Sequence, residues 1–554
     1  MEKIWLKNYP KGVAPEVDLS KYSSLYAIYE ESIKMFGEKK AFTNMGVSLT
    51  FNELDRRVDQ FASFLQNELK LKKGDRIAIQ MPNVLQFPII AFAALRSGLI
   101  IVNTNPLYTA KEMHHQFKDS GAKAIVILAN YAHLLQQILK DTKIESVVIT
   151  EIGDLFPTPK RLLVNSVVKY IKKMVPAYNL PQAYSFRQAL EIGAMKPSAL
   201  IPTTQEDIAF LQYTGGTTGV AKGAMLLHRN VLANVVQIRE WMLPKFVEGK
   251  EVAVAALPLY HIFALTLNCF GLLRYGAENV LITNPRDIPG FIKELKKTPF
   301  TVLAGVNTLF NALMNNPEFV TIDFKKLKIS VAGAMTLQKA VSEKWMSLTK
   351  TVIVEGYGLT EASPVVSCNP VDGTDQVGTI GMPFPNTDVK LVDDDGNEVP
   401  MGEPGELLCK GPQVMAGYWE KPEETALVLK DGWLKTGDVA TVAPDGFFRI
   451  VDRKKDMILV SGFNVYPNEV EEAIASHPGV LEVAAIGVPD EHSGEIVKAV
   501  IVKKDSSLTA EEVIAHARKT LTNYKVPRLV EFRAELPKTN VGKILRRALR
   551  ETAK

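Results

Sequence analysis

The segment from Tyr213 to Gly223 reads YTGGTTGVAKG and is rich in groups that bind phosphate. Its eleven residues include four glycines, four hydroxyl-bearing side chains and one lysine, and they offer little to a hydrophobic core. Glycines let backbone N–H groups approach an anion closely, while threonine hydroxyls and a lysine add donors and positive charge. We therefore predict a phosphate-binding loop that leaves the apolar strand DIAFLQY and precedes a helix from Leu226 onward.

The loop differs from the common phosphate-binding motif G-x-x-x-x-G-K-[ST]. That motif places lysine between glycine and Ser or Thr, whereas Lys222 lies between Ala221 and Gly223. The difference disfavours a P-loop kinase or GTPase. A flexible linker is the structural alternative, but linkers rarely carry a lysine and three threonines in so short a run.

The same segment resembles the [ST]-[ST/G]-G-T-T-G-x-P-K-G loop of the adenylate-forming superfamily, which includes acyl-CoA synthetases, luciferases and peptide-synthetase adenylation domains. Ala221 replaces the usual proline, whose fixed φ would stiffen the loop. The resemblance implies an ATP-binding loop in which Thr214 also takes part in catalysis. The implied ATP-binding residues are Tyr213, Thr214, Gly215, Gly216, Thr217, Thr218, Gly219, Lys222 and Gly223.

A second segment, EGYGLTEASP at residues 355–364, resembles the superfamily motif Y-G-x-T-E. The resemblance implies that Tyr357 and Gly358 lie against adenine and that Thr360 reaches the α-phosphate region. It also implies that Glu361 holds Mg²⁺ in a catalytic role, since a carboxylate near a triphosphate requires a cation between the two anions. A glycine-rich turn that contains glutamate is the plain structural alternative.

Three shorter segments carry the remaining implied nucleotide contacts. AGAM at residues 332–335 resembles the adenine-side turn, which implies ATP-binding roles for Gly333 and Ala334. LKTGD resembles the segment whose aspartate accepts hydrogen bonds from both ribose hydroxyls, which implies that role for Asp438. VDRKKD resembles a segment that supplies an assisting arginine, which implies that role for Arg453. Each segment alone is typical of an ordinary turn, but their order and spacing match the superfamily along nearly the whole chain.

The C-terminal segment PKTNVGKILRR resembles the superfamily motif P-x-T-x-x-G-K-x-x-R and implies a catalytic, ATP-binding role for Lys543. A preorganised ammonium stabilises the charge that accumulates at the α-phosphate when a carboxylate attacks it. Residues 452–467, DRKKDMILVSGFNVYP, resemble a connection between domains and imply a hinge at Lys455 and a CoA-binding loop at Gly462. A hinge motion would then exchange Lys543 for the Gly462 loop between two steps. A solvated surface charge is the alternative for Lys543.

The segment LPLYHIFAL, residues 257–265, resembles the aromatic-histidine segment beside the acyl site. The resemblance implies a catalytic and acyl-binding role for His261 and places Ile238 and Val306 near an acyl pocket. A buried structural histidine and two ordinary core residues are the alternatives.

Alternating helix and strand patterns over residues 21–200 predict a doubly wound α/β unit, and a second round begins near Ile208. The β-rich residues 377–450 predict a small β-barrel. We therefore predict an α/β fold with two doubly wound subdomains and a small β-barrel in residues 1–454. A smaller, mobile α+β domain is predicted at residues 455–554.

The composition excludes several classes of protein. The chain has 554 residues, 23% of them charged, and a net charge of +4, which does not indicate nucleic-acid binding. Three scattered cysteines predict neither a disulfide framework nor a metal cluster. No signal-peptide core is visible, and the apolar run from Phe87 to Val102 is shorter than the roughly 20 residues that span a bilayer. We expect a cytoplasmic protein without a transmembrane helix.

Residues 160–178, from Lys160 to Tyr178, read KRLLVNSVVKYIKKMVPAY and combine five basic residues with apolar residues at helical spacing and no acid. This pattern is typical of a helix that lies in a membrane interface, and it predicts reversible peripheral contact with the inner face of the cell membrane. An ordinary surface helix packed on the α/β layer is the alternative.

Within the superfamily, the chain resembles bacterial long-chain fatty acid CoA ligases, including their basic segment and the sequence VDRKKDMI. The resemblance implies a Mg²⁺-dependent enzyme that converts fatty acid and ATP to acyl-AMP and pyrophosphate, and then transfers the acyl group to CoA. The alternatives are a ligase for a medium-chain or aryl acid, an adenylate-only enzyme that loads a carrier protein, and a catalytically dead acyl-binding protein. Whether the chain forms a homodimer stays open.

Overall fold

The computed structural model describes residues 2–215, 220–490, 492–539 and 542–551. In these ranges the strands are β1 Lys40–Asn44, β2 Val47–Thr50, β3 Arg76–Gln80, β4 Ile100–Asn103, β5 Ala124–Leu128, β6 Ser146–Thr150, β7 Tyr184–Ser185, β8 Ile208–Gly215, β9 Ala221–Leu227, β10 Val252–Ala255, β11 Glu278–Leu281, β12 Val302–Gly305, β13 Ile329–Ala332, β14 Ile353–Gly358, β15 Val365–Cys368, β16 Met382–Pro383, β17 Asp388–Val392, β18 Gly405–Lys410, β19 Gly417–Tyr418, β20 Leu429–Lys430, β21 Trp433–Val442, β22 Phe448–Arg453, β23 Ile458–Val460, β24 Phe463–Val465, β25 Val480–Asp490, β26 Gly494–Lys503 and β27 Leu529–Arg533.

The helices lie between these strands. They are α1 Leu25–Phe36, α2 Phe51–Ser63, α3 Gln86–Arg96, α4 Ala110–Ser120, α5 Ala132–Ile138, α6 Thr158–Ser166, α7 Phe186–Gly193, α8 His228–Met242, α9 Ile262–Ala264, α10 Ile288–Lys297, α11 Asn307–Met314, α12 Lys339–Thr349, α13 Pro422–Val428, α14 Pro467–Ala475, α15 Ala510–Ala517 and α16 Arg546–Glu551. The π-helical segments Phe64–Glu68, Val167–Ile171 and Leu265–Leu272 continue α2, α6 and α9. Of the helices described, none is both long and apolar enough to cross a membrane.

Several helices begin where the local sequence predicts a start. At α2 the Thr50 hydroxyl accepts the Glu53 N–H at 3.1 Å, and the Glu53 carboxylate accepts the Thr50 N–H at 2.9 Å. The same reciprocal T-x-x-E arrangement begins α4 and α15. These caps satisfy N–H groups that have no partner inside the helix, so short-range sequence is sufficient to place these helix starts.

The first sheet has eight strands in the order β19-β9-β8-β4-β3-β5-β6-β7. The strands from β8 to β7 pair in parallel, and β9 and β19 extend the sheet by antiparallel pairs. Strands β3 and β5 are almost wholly buried, as expected where helices cover both faces of a parallel sheet. The predicted doubly wound α/β architecture is confirmed.

The second sheet has nine strands in the order β16-β15-β14-β13-β12-β10-β11-β1-β2. Its membership corrects the predicted division near Ile208. Strand β8, which begins at Ile208, belongs to the first sheet, whereas β1 and β2 from the N-terminal region join the second through the parallel pair β1-β11. The hydrophobic pattern identifies a strand but not its neighbours, because a buried strand has the same pattern in either sheet.

The predicted phosphate-binding loop lies at the end of a β-hairpin. Strands β8 and β9 are antiparallel, with Tyr213 opposite Gly223, Thr214 opposite Lys222 and Gly215 opposite Ala221. The helix that follows begins at His228, so the prediction of helix from Leu226 is wrong by two residues. The short apolar run AMLL is compatible with strand or helix, and pairing with β8 makes it a strand.

Two smaller β units follow the second sheet. Strands β17, β18, β21, β20 and β22 form a five-stranded antiparallel sheet between Asp388 and Arg453, within the region predicted to be β-rich. Strands β23 to β27 form another five-stranded sheet with α14, α15 and α16 near it. Its core is separate from those of the large sheets, which confirms a smaller α+β unit at the C-terminal end.

The N-terminal residues tie the small sheet to helix α8. Trp5 is buried, and its ring meets the ring of Phe448 edge-on at a centroid distance of 5.9 Å. Farther along, the Ala14 N–H donates to Glu240 Oε1 at 3.0 Å. The small sheet is therefore held against α8 by residues distant from both in sequence.

Replacing Trp5 by alanine should loosen this connection. A buried Trp→Ala change costs about 3–5 kcal/mol, so the first unfolding transition should move to lower urea concentration. Leu6→Ala is the matched control, because Leu6 is 38% exposed and surface changes usually stay within about 0.5 kcal/mol. Equal shifts for the two variants in urea titrations would show that the Trp5 contact does not stabilise this unit.

Candidate active site

A large cavity of about 2360 Å³ lies between the two large sheets, the small sheet and the C-terminal unit. It collects most of the side chains that the sequence assigns to function. Those that line it are Tyr213, Thr214, Lys222, Ile238, His261, Gly333, Ala334, Tyr357, Gly358, Thr360, Glu361, Asp438, Arg453, Lys455 and Lys543. Gly216, Thr217, Thr218 and Gly219, which follow β8 in the sequence, lie outside the described residues.

The residues predicted to hold ribose and adenine form one hydrogen-bonded group. Asp438 on β21 lies opposite Arg453 on β22, and Arg453 Nε is 3.2 Å from Asp438 Oδ1. The Tyr357 hydroxyl donates to Asp438 Oδ2 at 2.6 Å. Burial, followed by the nearby Asp438 charge, raises the pKa of Tyr357 well above its usual value. The tyrosine therefore stays protonated as a donor, and the carboxylate is held in one orientation.

The residues predicted to meet the triphosphate form a second group. Lys222 Nζ makes an ion pair with Glu424 and lies 5.1 Å from the centre of the Tyr418 ring. The Tyr418 hydroxyl donates to Glu361 Oε1 at 2.7 Å. Sequence reasoning missed Tyr418 and Glu424; the only signal was an aromatic residue and acids in GYWEKPEE near the β-rich segments.

Tyr213 and Gly223 have packing roles at the base of the hairpin. The Tyr213 hydroxyl donates to Asp119 Oδ2 at 2.6 Å, so its ring is anchored at α4. A Cβ at Gly223 would lie 3.1 Å from this ring, closer than side chains normally pack. Thr214 is on the cavity wall and lies opposite Lys222 of the neighbouring strand.

The turn after β13 leads the chain past the cavity. Ala334 adopts a φ of +66°, and a Cβ at Gly333 would lie 3.0 Å from the Phe263 ring. Beside this turn, Glu355 accepts the Leu337 N–H at 2.8 Å, and burial raises the pKa of Glu355 to about 8. Glu355 is thus a neutral carboxylic acid at pH 7 on the cavity wall. Sequence reasoning assigned it no role, although an acid inside the apolar run IVEGYG is a signal for a special environment.

Lys543 reaches the cavity on a turn that docks against helix α11. The Thr308 hydroxyl donates to the Gly542 carbonyl at 3.0 Å, and the Lys543 N–H donates to Thr539 Oγ1 at 3.0 Å. Removal from water, followed by the Arg453 charge, lowers the pKa of Lys543 to about 7, although Asp438 opposes this shift. The lysine predicted to act at the α-phosphate is therefore beside Asp438 and Arg453, the pair predicted to bind ribose.

Arg546, one turn farther on, holds this arrangement in place. Its guanidinium lies 2.7 Å from Glu471 Oε2 and 3.4 Å from Asp452 Oδ1, and it donates to Asn468 Oδ1 at 2.7 Å. Asp452 lies just before the predicted hinge, so Arg546 links the Lys543 turn to the hinge region. The motif resemblance contained this arginine but assigned it no role.

The cavity lining includes His261 and a group of apolar side chains, which we call the apolar branch. Its walls include Ile238 and Met242 of α8, Leu267 and Phe384. His261 Nδ1 accepts the Phe263 N–H at 3.3 Å, and burial, followed by the Lys543 charge, lowers the pKa of His261 to about 4. The imidazole is therefore neutral at pH 7, which suits a boundary between apolar and polar parts of the cavity.

Val306 does not belong to this branch. It is buried at the start of α11, and a Cβ at Gly542 would lie 3.2 Å from Val306 Cγ2. The valine packs under the Lys543 turn. The resemblance in local sequence gave no information on which neighbours the Val306 side chain would contact.

Comparison with known proteins agrees with the geometry. The protein family described as "AMP-binding enzyme" matches residues 29–419. The family described as "AMP-binding enzyme C-terminal domain" matches residues 469–543. The chain belongs to the AMP-binding enzyme family.

Proteins named "Long-chain-fatty-acid--CoA ligase" are similar to this family member over its whole length. The protein from Escherichia coli O6:H1 is 56% identical, with 100% of this chain and 99% of the relative covered. The protein from Yersinia pestis is 57% identical, with 100% and 98% covered. Among solved structures, the anthranilate CoA ligase AuaEII in complex with anthranoyl-AMP is 25% identical with a TM-score of 0.87, covering 97% of this chain and 99% of that one.

In this AMP-binding enzyme, the predicted hinge and CoA residues lie in different surroundings. Lys455 is on the cavity wall, where burial, followed by Arg453, lowers the pKa of its ammonium. Gly462 is in the β23–β24 turn with a φ of +85°, is not on the cavity wall, and a Cβ there would meet nothing within 4 Å. The structure therefore brings Lys543 to the cavity and leaves Gly462 outside it.

The cavity fits a magnesium ion bound together with nucleotide phosphates. Glu361 Oε1 is oriented by Tyr418, and its second carboxylate oxygen could supply a hard oxygen ligand of the kind that Mg²⁺ prefers. Among the residues described, no three His, Cys, Asp or Glu side chains form a closed metal cluster. One carboxylate combined with phosphate oxygens and water is the usual coordination of Mg²⁺ at nucleotide sites.

The environment of Lys543 predicts the pH dependence of adenylation. A lysine carries its charge below its pKa, so kcat/KM for ATP–pyrophosphate exchange should fall about tenfold per pH unit above the Lys543 pKa of about 7. Bound triphosphate is anionic and favours the ammonium, so the decline in kcat should begin at higher pH.

Lys543→Arg is the matched variant for this profile, because a guanidinium stays charged throughout the range. Its residual exchange activity should lose the decline that begins near pH 7 in kcat/KM. A profile with the same midpoint in both proteins would assign the titration to another group.

Proposed function

We propose that this AMP-binding enzyme is a long-chain fatty acid CoA ligase, which uses ATP to form acyl-AMP and pyrophosphate and then transfers the acyl group to CoA. The single observation that carries the proposal is the position of Lys543 beside Asp438 and Arg453, on the wall of a cavity that also has apolar lining residues. The relatives that are 56% and 57% identical over the full chain carry that name.

In the first step the residues position two anions for attack. Asp438 would accept hydrogen bonds from the ribose hydroxyls, Lys222 would bind phosphate oxygens, and Glu361 would hold the magnesium ion. When bound, Mg²⁺ neutralises charge on the triphosphate and leaving pyrophosphate. Lys543 then donates its ammonium N–H groups to the α-phosphate as the fatty carboxylate attacks, where a preorganised cation in a site of low polarity is most effective.

The second step requires a thiol to reach the acyl-AMP carbonyl. We place the hinge at Lys455, between a domain of residues 1–454 and one of residues 455–554. Rotation there would withdraw Lys543 and bring the Gly462 turn to the cavity. The absence of atoms within 4 Å of a Gly462 Cβ fits a turn that closes on a partner only after this motion.

Removing the Lys543 ammonium should separate the two steps. Lys543→Ala should lower acyl-AMP formation by about 10²–10³-fold, the usual effect of losing one donor to transition-state charge. Thioester formation from supplied acyl-AMP should remain close to the parent rate. Lys519→Ala, which removes an exposed lysine from the same unit, is the control. Loss of both half-reactions in Lys543→Ala would contradict this division of labour.

The apolar branch accounts for preference among acids. Each methylene that enters it contributes on the order of 0.8 kcal/mol, so kcat/KM should rise by at most about fourfold per carbon until the branch is filled. We expect saturated acids to improve from eight to sixteen carbons in an acyl-CoA assay. Medium-chain and aryl acids are the competing substrates, and preference for benzoate or ferulate over palmitate would overturn the long-chain proposal.

We also propose reversible contact with the inner face of the cell membrane through residues 160–178. Helix α6 and the π-helical segment after it contain no buried residue. Leu163, Tyr170 and Ile171 are 65%, 67% and 74% exposed, and lysines flank them. Apolar side chains beside cations suit an interface with anionic lipid, where long-chain fatty acids also partition.

Changing Lys169, Lys172 and Lys173 to glutamate should reduce sedimentation with anionic vesicles. Each basic residue near such a surface contributes on the order of 1 kcal/mol, and the attraction is screened within about 10 Å at 0.1 M salt. Turnover of detergent-solubilised fatty acid should be unchanged, because these residues are remote from the cavity lining.

The control for this triple variant makes the same change of charge on another surface. Lys325, Lys326 and Lys350 are exposed lysines beside the second sheet, and their replacement by glutamate should leave vesicle binding close to that of the parent. Equal losses in both variants would indicate a response to net charge, and no loss in either would place any membrane contact elsewhere.

A further inference from the structure

Residues 417–428, which we call the clasp, cross the base of the phosphate-binding hairpin. Strand β19 pairs with β9, placing Gly417 opposite Met225 and Tyr418 opposite Ala224. The next residue, Trp419, donates its N–H to the Gly223 carbonyl at 2.8 Å. Helix α13 completes the clasp. These backbone bonds fix the clasp to the strand that carries Lys222.

The Tyr418 side chain joins the two groups that would meet the triphosphate. Its hydroxyl donates to Glu361 at 2.7 Å, and its ring lies 5.1 Å from the Lys222 ammonium. Tyr418 is only 8% exposed, so its ring has little freedom to move. One rigid residue thereby contacts both Glu361, in the 3-10 turn Thr360–Ala362 after β14, and Lys222 on β9.

Glu424 supplies a counter-ion to Lys222. Its carboxylate makes an ion pair with Nζ, and it remains 33% exposed while the lysine is only 12% exposed. A buried ammonium needs a compensating anion. A partly exposed carboxylate can return to water at low cost, whereas a triphosphate carries more negative charge and can replace it at the lysine.

A third contact anchors the clasp at the other side of the loop. Lys421 Nζ is 3.8 Å from Asp119 Oδ1, and the other oxygen of Asp119 accepts the Tyr213 hydroxyl. The clasp thus pairs directly with β9 and is linked to Tyr213 of β8 through Asp119 of α4. Because the clasp makes several of these contacts at once, displacement of one contact by a ligand would affect the others.

We propose that Tyr418 is a positioning residue for the triphosphate site and that Glu424 is an exchangeable counter-ion, which releases Lys222 when nucleotide binds. This rests on the proposed use of ATP. The Tyr418 contacts hold Glu361 and Lys222 at the correct separation before nucleotide arrives. The ion pair with Glu424 balances the charge of Lys222 until nucleotide binds. When this ion pair forms again after the first step, it helps pyrophosphate to leave.

The test measures binding by the full chain, separately from turnover. A non-hydrolysable ATP analogue is titrated calorimetrically at saturating Mg²⁺, and Mn²⁺ binding to the enzyme–analogue complex is followed by electron paramagnetic resonance. Tyr418→Phe keeps the ring but removes the donor to Glu361. It should weaken Mn²⁺ binding about tenfold, the usual effect of losing a hydrogen bond to a charged group, with analogue affinity at saturating metal within about twofold.

Tyr418→Leu also removes the ring beneath Lys222. It should weaken both metal and analogue, and the difference between the Phe and Leu variants isolates the contribution of the ring. Unchanged Mn²⁺ affinity in Tyr418→Phe would overturn the positioning role. Equal losses of both ligands in the two variants would also overturn it, because a merely structural tyrosine would produce that result.

Glu424→Gln tests the exchange separately and does not alter the buried tyrosine. It should tighten analogue and pyrophosphate binding by about three- to tenfold, because the competing carboxylate is gone. Weaker binding would overturn the counter-ion role. Glu423→Gln makes the same change at the neighbouring exposed position of α13, and this variant should bind the analogue and pyrophosphate like the parent. An equal effect in this variant would show that binding responds only to net charge, and it would overturn the proposal.

The parent protein distinguishes this inference from the proposed function. If the parent does not bind the ATP analogue with Mn²⁺, the ligase proposal fails and the clasp proposal fails with it. If the parent binds both and the variants depart from the expected pattern, the clasp proposal alone is overturned.

Discussion

The burial of the Lys543 ammonium beside Asp438 and Arg453 is the interaction on which the rest of the site depends. A cation removed from water is costly, and the fall in the pKa of Lys543 to about 7 expresses that cost. The lysine stays there because its turn docks on α11 through Gly542 and because Arg546 ties the same segment to Asp452. A bound triphosphate would offset the cost of burying the Lys543 ammonium, so the site favours an anion.

Burial leaves two titratable groups on the cavity wall without charge near neutral pH. Burial leaves Glu355 with a pKa of about 8 and His261 with a pKa of about 4, so both are neutral at pH 7. Lys222 is compensated by Glu424. Neither Glu355 nor His261 therefore adds a charge to the cavity at pH 7, and the Lys222 charge has a counter-ion.

The two residues that we propose for the two chemical steps lie in different places. Lys543 faces the cavity, while Gly462 lies in an open turn of the same C-terminal unit. A single unit that presents one group at a time needs a connection able to rotate, and the segment around Lys455 is the short link between the small sheet and the C-terminal sheet. The clasp adds a local exchange of ion pairs to this larger motion.

The sequence by itself determined the α/β class, most strand and helix positions, and the set of polar residues that meet in the cavity. These follow from local information, since hydrophobic period, capping pairs such as Thr50 with Glu53, and glycine-rich spacing all act within a few residues. Only the tertiary structure decided that β8 joins the first sheet, that β1 joins the second, and that Val306 packs under the Lys543 turn. It also decided the partners of Lys222 and Glu361, because Tyr418 and Glu424 approach them from distant positions in the chain. Such contacts depend on how whole layers pack. The identity of a buried residue does not show which neighbour will remove it from water or neutralise its charge.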